Sequence, residues 1–424
     1  MNEQTDFAKQ IGSASGISRL MDDLGKNSLS SHTEVVMLGG GNPAHIPEVQ
    51  DRIRQALLRI ANDKGHFARL IGNYDPPEGN LAFAQLLADS LNEQLGWPIG
   101  PENIALTNGS QSAFFALFNL LAGSFDSGVK KKILLPLEPE YIGYADIGIE
   151  HDMFVCAKPR IDFIDEHTFK YYVDFDRVER ILMEQSIGAI CVSRPTNPTG
   201  NVLTDSEIEQ LSDLAKTHRI PFIIDNAYGL PFPGVVYTDA KPYWDEQAVV
   251  CMSLSKLGLP GARTGIVIAN RDIVESLSHV NAVTNLAPGS MGPVLATEFF
   301  KDTDLWSLCK NVIKPYYDER GAILQQQLTE QLQGVNFHLH KREGAFFLWL
   351  WIPGLPISSM ELYYRLKEKS VIIVPGEYFF PGSRDQWDHK HECMRISSVQ
   401  DEAILCKGAK IIAHEIKSLF KVKG

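Results

Sequence analysis

Six short apolar runs punctuate the middle of the chain: Lys132–Leu137, Met153–Ala157, Ala189–Ser193, Pro221–Ile224, Ala248–Ser253 and Gly265–Ala269. They are rich in Ile, Val and Leu and do not alternate in polarity. A strand with one wet face alternates, whereas a strand covered on both faces reads as a continuous apolar run. The pattern therefore predicts a mostly parallel sheet flanked by helices. Stretches of helical period lie between the runs. In Asp205–His218, either Thr204 or Asp205 is placed to cap the first turn. The last third changes character. Asp304–Leu332 reads as one long helix, Gly344–Ile352 and Val371–Val374 as strands, and Glu402–Phe420 as a closing amphipathic helix. A large α/β domain followed by a smaller α+β domain is the simplest parse, and periodicity alone does not say where residues 1–54 belong.

Composition narrows the function classes. The chain has 424 residues, 44% of them apolar, which leaves room for two or three domains. Its formal charge of -12 argues against a nucleic-acid binder. An anionic ligand would need locally gathered positive groups. The six cysteines are scattered and form no CxxC pair, so neither a metal site nor a disulfide framework is expected. Met1–Gly12 is polar and lacks a signal-peptide stretch. Ala113–Ala122, interrupted by Asn119, is too short to span a bilayer. A soluble, cytoplasmic protein is the expectation.

The candidate chemistry sits just after the apolar runs, where ligands bind in doubly wound folds. Ser253-Leu254-Ser255-Lys256-Leu257-Gly258 runs on to Arg263. A lysine there suits Schiff-base chemistry if its amine loses its proton, and Ser253, Ser255 and Arg263 suit a phosphate. A surface turn with an incidental lysine is the plainer alternative. Asp225-Asn226-Ala227-Tyr228 offers a carboxylate for a protonated ring nitrogen and a hydroxyl for a phenolate oxygen, or else a simple cap. Arg194-Pro195-Thr196-Asn197-Pro198-Thr199-Gly200 forces an irregular turn, with an X-Pro bond open to the cis form, and presents the Asn197 amide. Gly109-Ser110-Gln111 opens a helix-like run and offers free N–H groups to a phosphate, though it is no Walker loop. Tyr141 has the shape to stack on a flat ring or to fill a core. Arg395, inside an apolar strand-like context, suits a substrate carboxylate or an internal ion pair.

Taken in order, Gly-Ser-Gln, Pro-x-Tyr, Asn-Pro-Thr-Gly, Asp-x-x-Tyr, Ser-x-Ser-Lys, Gly-x-Arg and a late Arg resemble the fold-type I pyridoxal-phosphate enzymes, the aspartate-aminotransferase superfamily. The resemblance spans roughly Gly39 to Ser397. It implies pyridoxal 5′-phosphate as cofactor, with Lys256 as its Schiff-base lysine. Asp225 would pair with the pyridine nitrogen, and Tyr228 and Asn197 would reach the phenolate oxygen. Gly109, Ser110, Gln111, Ser253, Ser255 and Arg263 would hold the phosphate, and Tyr141 would cover the ring. Arg395 would bind the substrate α-carboxylate, with Gly40 or Gly41 lining the substrate side. Tyr74 resembles the tyrosine that reaches the partner subunit's site, which implies a homodimer. The implied fold is a large α/β domain over residues 55–300, built on a mostly parallel sheet of the seven-stranded type. A smaller α+β domain would comprise residues 1–54 and 301–424.

Gly39–Pro43, Thr107–Phe115, Glu138–Asp146, Cys191–Val202, Asp225–Gly234, Cys251–Gly261, Glu343–Trp351 and Phe379–Gly382 are similar to the branch of that family that exchanges an amino group between valine and pyruvate. That similarity implies 2-oxoisovalerate and alanine as products. No second arginine for a distal carboxylate is apparent, which suits a short apolar amino acid. The chain departs from the common pattern in one place. Only Leu257 separates Lys256 from the next glycine, and Arg263 comes seven positions on rather than eight. The rival functions are another reaction at the same site, such as C–S lysis or decarboxylation, and a cofactor-binding regulator fused to a DNA-binding domain. The leader before Gly39 is short and not basic, which weighs against the regulator.

Overall fold

All six apolar runs form strands of one sheet. The computed structural model describes residues 5–11, 35–301, 303–383 and 386–421. Residues 12–34, expected to join the smaller domain, lie outside the described residues. The central sheet runs in the order Ile104–Thr107, Gly265–Ile268, Ala248–Ser253, Phe222–Asp225, Ile187–Ser193, Lys130–Leu135, with Phe154–Cys156 and the two-residue Gly123–Ser124 both paired to Lys130–Leu135. It has eight strands where seven were expected, the extra one being the short Gly123–Ser124. Ile104–Thr107 was not anticipated, because three apolar residues and a threonine are too few to show a period. The strands from Ala248–Ser253 to Phe154–Cys156 pair in parallel, and Gly265–Ile268 runs against both neighbours.

The uninterrupted apolar character of these runs has the expected cause. Successive residues point to opposite faces, and both faces are covered. Val249 and Cys251 pack with Ala113, Phe114 and Leu117 of the helix Ser110–Leu121. Val250 and Met252 face the opposite core, with Phe83 and Leu87 of the helix Leu81–Leu95. The helix Asp205–His218 starts where its sequence says. Thr204 Oγ1 accepts from the Glu207 N–H, and the Glu207 carboxylate accepts from the Thr204 N–H.

A second sheet runs Val374–Pro375, Cys393–Ser397, Phe347–Trp351, His338–His340, Thr168–Tyr172, Arg160–Phe163. Its last two strands come from within residues 55–300, and the strand Phe347–Trp351 places Trp349 beside Arg395. The expected strand Val371–Val374 divides. Val371–Ile372 pairs with Val36–Met37, and Val374–Pro375 pairs with Cys393–Ser397. The helix expected over Asp304–Leu332 is interrupted by a π-helical turn, Cys309–Ile313, before Lys314–Gln331. Pro315 has no N–H to donate and crowds the carbonyl four residues back, and the wider turn relieves both effects. The closing helix spans Glu402–Lys421. Among the described residues, no helix is long and apolar enough to cross a membrane.

Candidate active site

Register places the chemistry along one edge of the central sheet. Asp225 is level with Cys251 and with Ser193, and Thr107 and Ser253 both align with Gly265. The segments that follow these strands therefore converge. Lys256 Nζ donates to the Gly41 carbonyl at 2.7 Å and lies 5.4 Å from the centre of the Tyr228 ring. Desolvation, helped by the positive charge of Arg395 and opposed by Asp225, pulls its amine down to about 8 from the usual lysine range. Asp225 is buried. Its carboxylate accepts from Tyr144 Oη at 2.8 Å and from the Ala227 N–H at 3.1 Å. Burial pushes it up to about 6, and those two donors and Lys256 hold it back from rising further.

Arg395 is 3% exposed. Its Nη1 donates to Asn197 Oδ1 and its Nη2 to the Gly39 carbonyl, each at 2.7 Å. Phe347 and Phe379 flank the guanidinium with ring centres at 4.2 and 5.3 Å. Its buried Nε has no partner among the described residues. Tyr228 packs edge-on against Phe346 and Phe347. Tyr141 meets Tyr144 edge-on at 5.3 Å, and burial raises its hydroxyl to about 12. A side chain at Gly39 would press on Ile372 and Ile373, while Gly41 faces open space. A cavity of about 100 Å³ runs from Lys256 along Asn42, Ala44 and Val49 to Tyr317.

The shortened turn still brings Arg263 home. Arg263 adopts a left-handed backbone, φ 47°, just after the single turn Pro260–Ala262. Its guanidinium lies where a side chain at Gly109 would be, and Gly109 itself sits at φ 94° at the N-terminus of the helix Ser110–Leu121. Only glycine allows both the backbone angle and the approach. The phosphate candidates differ in what their side chains do. Ser253 Oγ donates to the Thr264 carbonyl at 3.3 Å and accepts from the Ser255 N–H. Ser110 Oγ leans toward the Met252 carbonyl at 3.4 Å. Gln111 Nε2 donates to the Gly143 carbonyl at 2.8 Å, which fixes the turn carrying Tyr141. Tyr74 is 82% exposed, outside this constellation. The Arg194–Pro195 peptide is cis.

The family model for "Aminotransferase class I and II" matches residues 33–404. The chain belongs to the class I and II aminotransferases. It is 50% identical over 415 residues to the valine–pyruvate aminotransferase of Escherichia coli K12, covering 97% of each chain. The crystal structure of valine-pyruvate aminotransferase AvtA from Salmonella typhimurium LT2 superimposes with a TM-score of 0.86 at 49% identity, covering 96% of this chain and 99% of that one. A crystal structure from Psychrobacter arcticum 273-4 matches with a TM-score of 0.95 at 45% identity, covering 99% and 100%.

Aminotransferases of this fold use pyridoxal 5′-phosphate, and the residues of this one fit it. The fit rests on the donor set: an amine that readily loses its proton, a carboxylate close to it, and a helix N-terminus with a guanidinium laid across it.

Sequence reasoning missed two residues of this aminotransferase's site. Tyr144, fully buried among Phe114, Phe118 and Tyr141, donates to Asp225. Glu140, also buried, accepts from the Ser193 N–H and Oγ and from the Tyr141 N–H, and burial raises its carboxyl to about 8. Tyr144 supports a prediction. Protonation of Asp225 removes the charge that a ring nitrogen needs, so cofactor uptake by the apoenzyme should weaken as pH falls through about 6. The Tyr144 hydroxyl favours the ionised carboxylate. Tyr144→Phe keeps the packing and loses that bond, about 1.5–3 kcal/mol for a hydrogen bond to a charge. The midpoint should therefore rise by about one to two pH units. Binding titrations of the cofactor at a series of pH values measure this, and an unmoved midpoint would show that Tyr144 only fills space.

Proposed function

We propose that the chain moves the amino group of valine, or of a similar small apolar amino acid, to pyruvate, giving 2-oxoisovalerate and alanine by a ping-pong route. The convergence of a readily deprotonated Lys256 with Asp225 and the buried Arg395 carries the reaction type. The choice of substrate is supported by the 50% identity to a valine–pyruvate aminotransferase.

When bound, pyridoxal 5′-phosphate supplies the aldehyde that accepts the amine and the ring that stabilises negative charge at Cα. The protein does the rest. Lys256 Nζ takes the proton from Cα and delivers it to C4′ of the cofactor, on the far side of the intervening nitrogen, as general base and then acid. An amine near 8 suits both roles at neutral pH. Asp225 holds a proton on the ring nitrogen. Arg395 grips the α-carboxylate, with Asn197 orienting its guanidinium, and Gly40 and Gly41 leave room for the substrate. Tyr141 covers the ring, and Tyr228 and Asn197 address its phenolate oxygen. Gly109, Ser110, Gln111, Ser253, Ser255 and Arg263 hold the phosphate.

A homodimer is part of the proposal, with Tyr74 serving the partner's site. Its exposure in the single chain leaves it available to a second copy. So is a division into a large domain and a smaller one formed by both ends of the chain. The core that joins Val36 and Leu38 to Leu324, Leu350 and Ile412 supports that division. A cytoplasmic location is supported by six free cysteines.

The test is an assay of purified enzyme with valine and pyruvate. Alanine and 2-oxoisovalerate should appear in equal amounts. Net ammonia or carbon dioxide would point instead to lyase or decarboxylase chemistry. A panel of donors should show overlap among valine, 2-aminobutyrate and leucine, because one methylene is worth only about 1–3 kcal/mol in an apolar pocket.

A further inference from the structure

Lys170 sits in the middle of the strand Thr168–Tyr172 and is 2% exposed. All three of its ammonium donors are engaged. Nζ donates to Asn201 Oδ1 at 2.7 Å, to the Val202 carbonyl at 3.0 Å and to Glu343 Oε2. Glu343 is equally buried. Its Oε2 also accepts from the Val202 N–H at 3.1 Å, and Lys341 Nζ lies 3.0 Å from Oε1. A buried ion pair is weak evidence for stability, since a well-packed apolar pair does as well or better. It is stronger evidence for a position that has to be held.

The two residues bonded by this pair from the loop side, Asn201 and Val202, form the foot of the loop that carries Asn197. That loop is closed on itself. The Thr196 N–H donates to the Asn201 carbonyl, the Gly200 N–H to the Thr196 carbonyl, and Thr196 Oγ1 to the Ser193 carbonyl. These bonds link Asn197 to its foot at Asn201 through the loop's own backbone. On the other side, Glu343 leads directly into Gly344, which is pressed against Pro195 so closely that a Cβ there would collide with the proline ring. The chain then enters Phe347–Trp351, the strand paired with Cys393–Ser397, where Arg395 lies opposite Trp349. One ion pair thus ties the foot of the Asn197 loop to the start of the strand beside Arg395.

We infer that the Lys170–Glu343 pair is a positioning element that sets Asn197 against Arg395 and so determines the grip on the substrate carboxylate, without touching the substrate. The inference rests on the proposed role of Arg395 and Asn197 in carboxylate binding. Lys170→Met combined with Glu343→Leu removes both buried charges together, leaving the half-exposed Lys341 without its partner and the Val202 N–H without its acceptor. The holoenzyme of this double variant should show KM values for valine and pyruvate raised about tenfold, with kcat lowered less than threefold. Isovalerate, a carboxylate without an amine, should bind about tenfold more weakly, read from the change in cofactor absorbance. Glu343→Gln, which keeps the shape, should shift the same quantities in the same direction and serves if the double variant does not accumulate as folded protein. Unchanged KM and unchanged isovalerate affinity in a folded variant would overturn the inference. Asn197→Ala and Arg395→Leu, assayed alongside, separate the two claims. If they weaken isovalerate binding and the Lys170–Glu343 variants do not, only this inference fails. If they leave it unchanged, the carboxylate reading has failed first.

Discussion

Lys256→Ala should transaminate at least about 10⁴-fold more slowly than the wild type while keeping its fold and its ability to bind cofactor. The side chain is asked to do two things, covalent attachment and proton transfer at Cα, and the second alone contributes about 10² to 10⁴. A loss of 10⁴ corresponds to about 5 kcal/mol of barrier. Lys256→Arg should be no better, because a guanidinium does not give up its proton at neutral pH. Single-turnover measurements of alanine formation from pyruvate, with circular dichroism as the control for fold, check both. Near-normal turnover by Lys256→Ala would remove the lysine from the mechanism.

Arg395→Leu should lower kcat/KM for valine by about 10² to 10³, roughly 3–4 kcal/mol, the scale of a buried charged pair losing one partner. Most of the loss should appear in KM, since the carboxylate is held in both ground state and transition state. Isobutylamine, which has the side chain of valine and no carboxylate, is the control. Wild type and variant should react with it equally poorly, and a variant that still favours valine over isobutylamine by the wild-type ratio would show that the carboxylate is held elsewhere. The substitution also leaves Asn197 Oδ1 and the Gly39 carbonyl without their donor. The melting temperature should therefore be measured with the kinetics.

Much of the site was legible because its residues follow strands, and strands buried on both faces announce themselves as unbroken apolar runs. Lys256, Asp225, Asn197 and Tyr141 each come within six residues of the end of such a run. What was not legible has a common cause. Tyr144 meets Asp225 across 81 positions, Glu140 meets Ser193 across 53, and Lys170 meets Glu343 across 173. Within its own segment each gives no sign of its partner, and Lys170 stands between Phe169 and Tyr171 with nothing local to excuse it. Arg263 illustrates the same limit. Counting predicted only that the turn from Lys256 would be tight. The left-handed backbone at Arg263 is what swings its guanidinium back over Gly109.

The sequence by itself determined which residues could carry the chemistry and that they would lie just beyond the ends of strands in a mostly parallel sheet, since a strand buried on both faces reads as an unbroken apolar run and ligands sit past the strand ends in such folds. Their protonation was decided only by the tertiary structure. An amine near 8, a carboxylate near 6 and a guanidinium flanked by two phenylalanines are properties of desolvation and of neighbours brought from distant parts of the chain. Burial acts on a charge through everything around it, and no stretch of sequence contains its own surroundings.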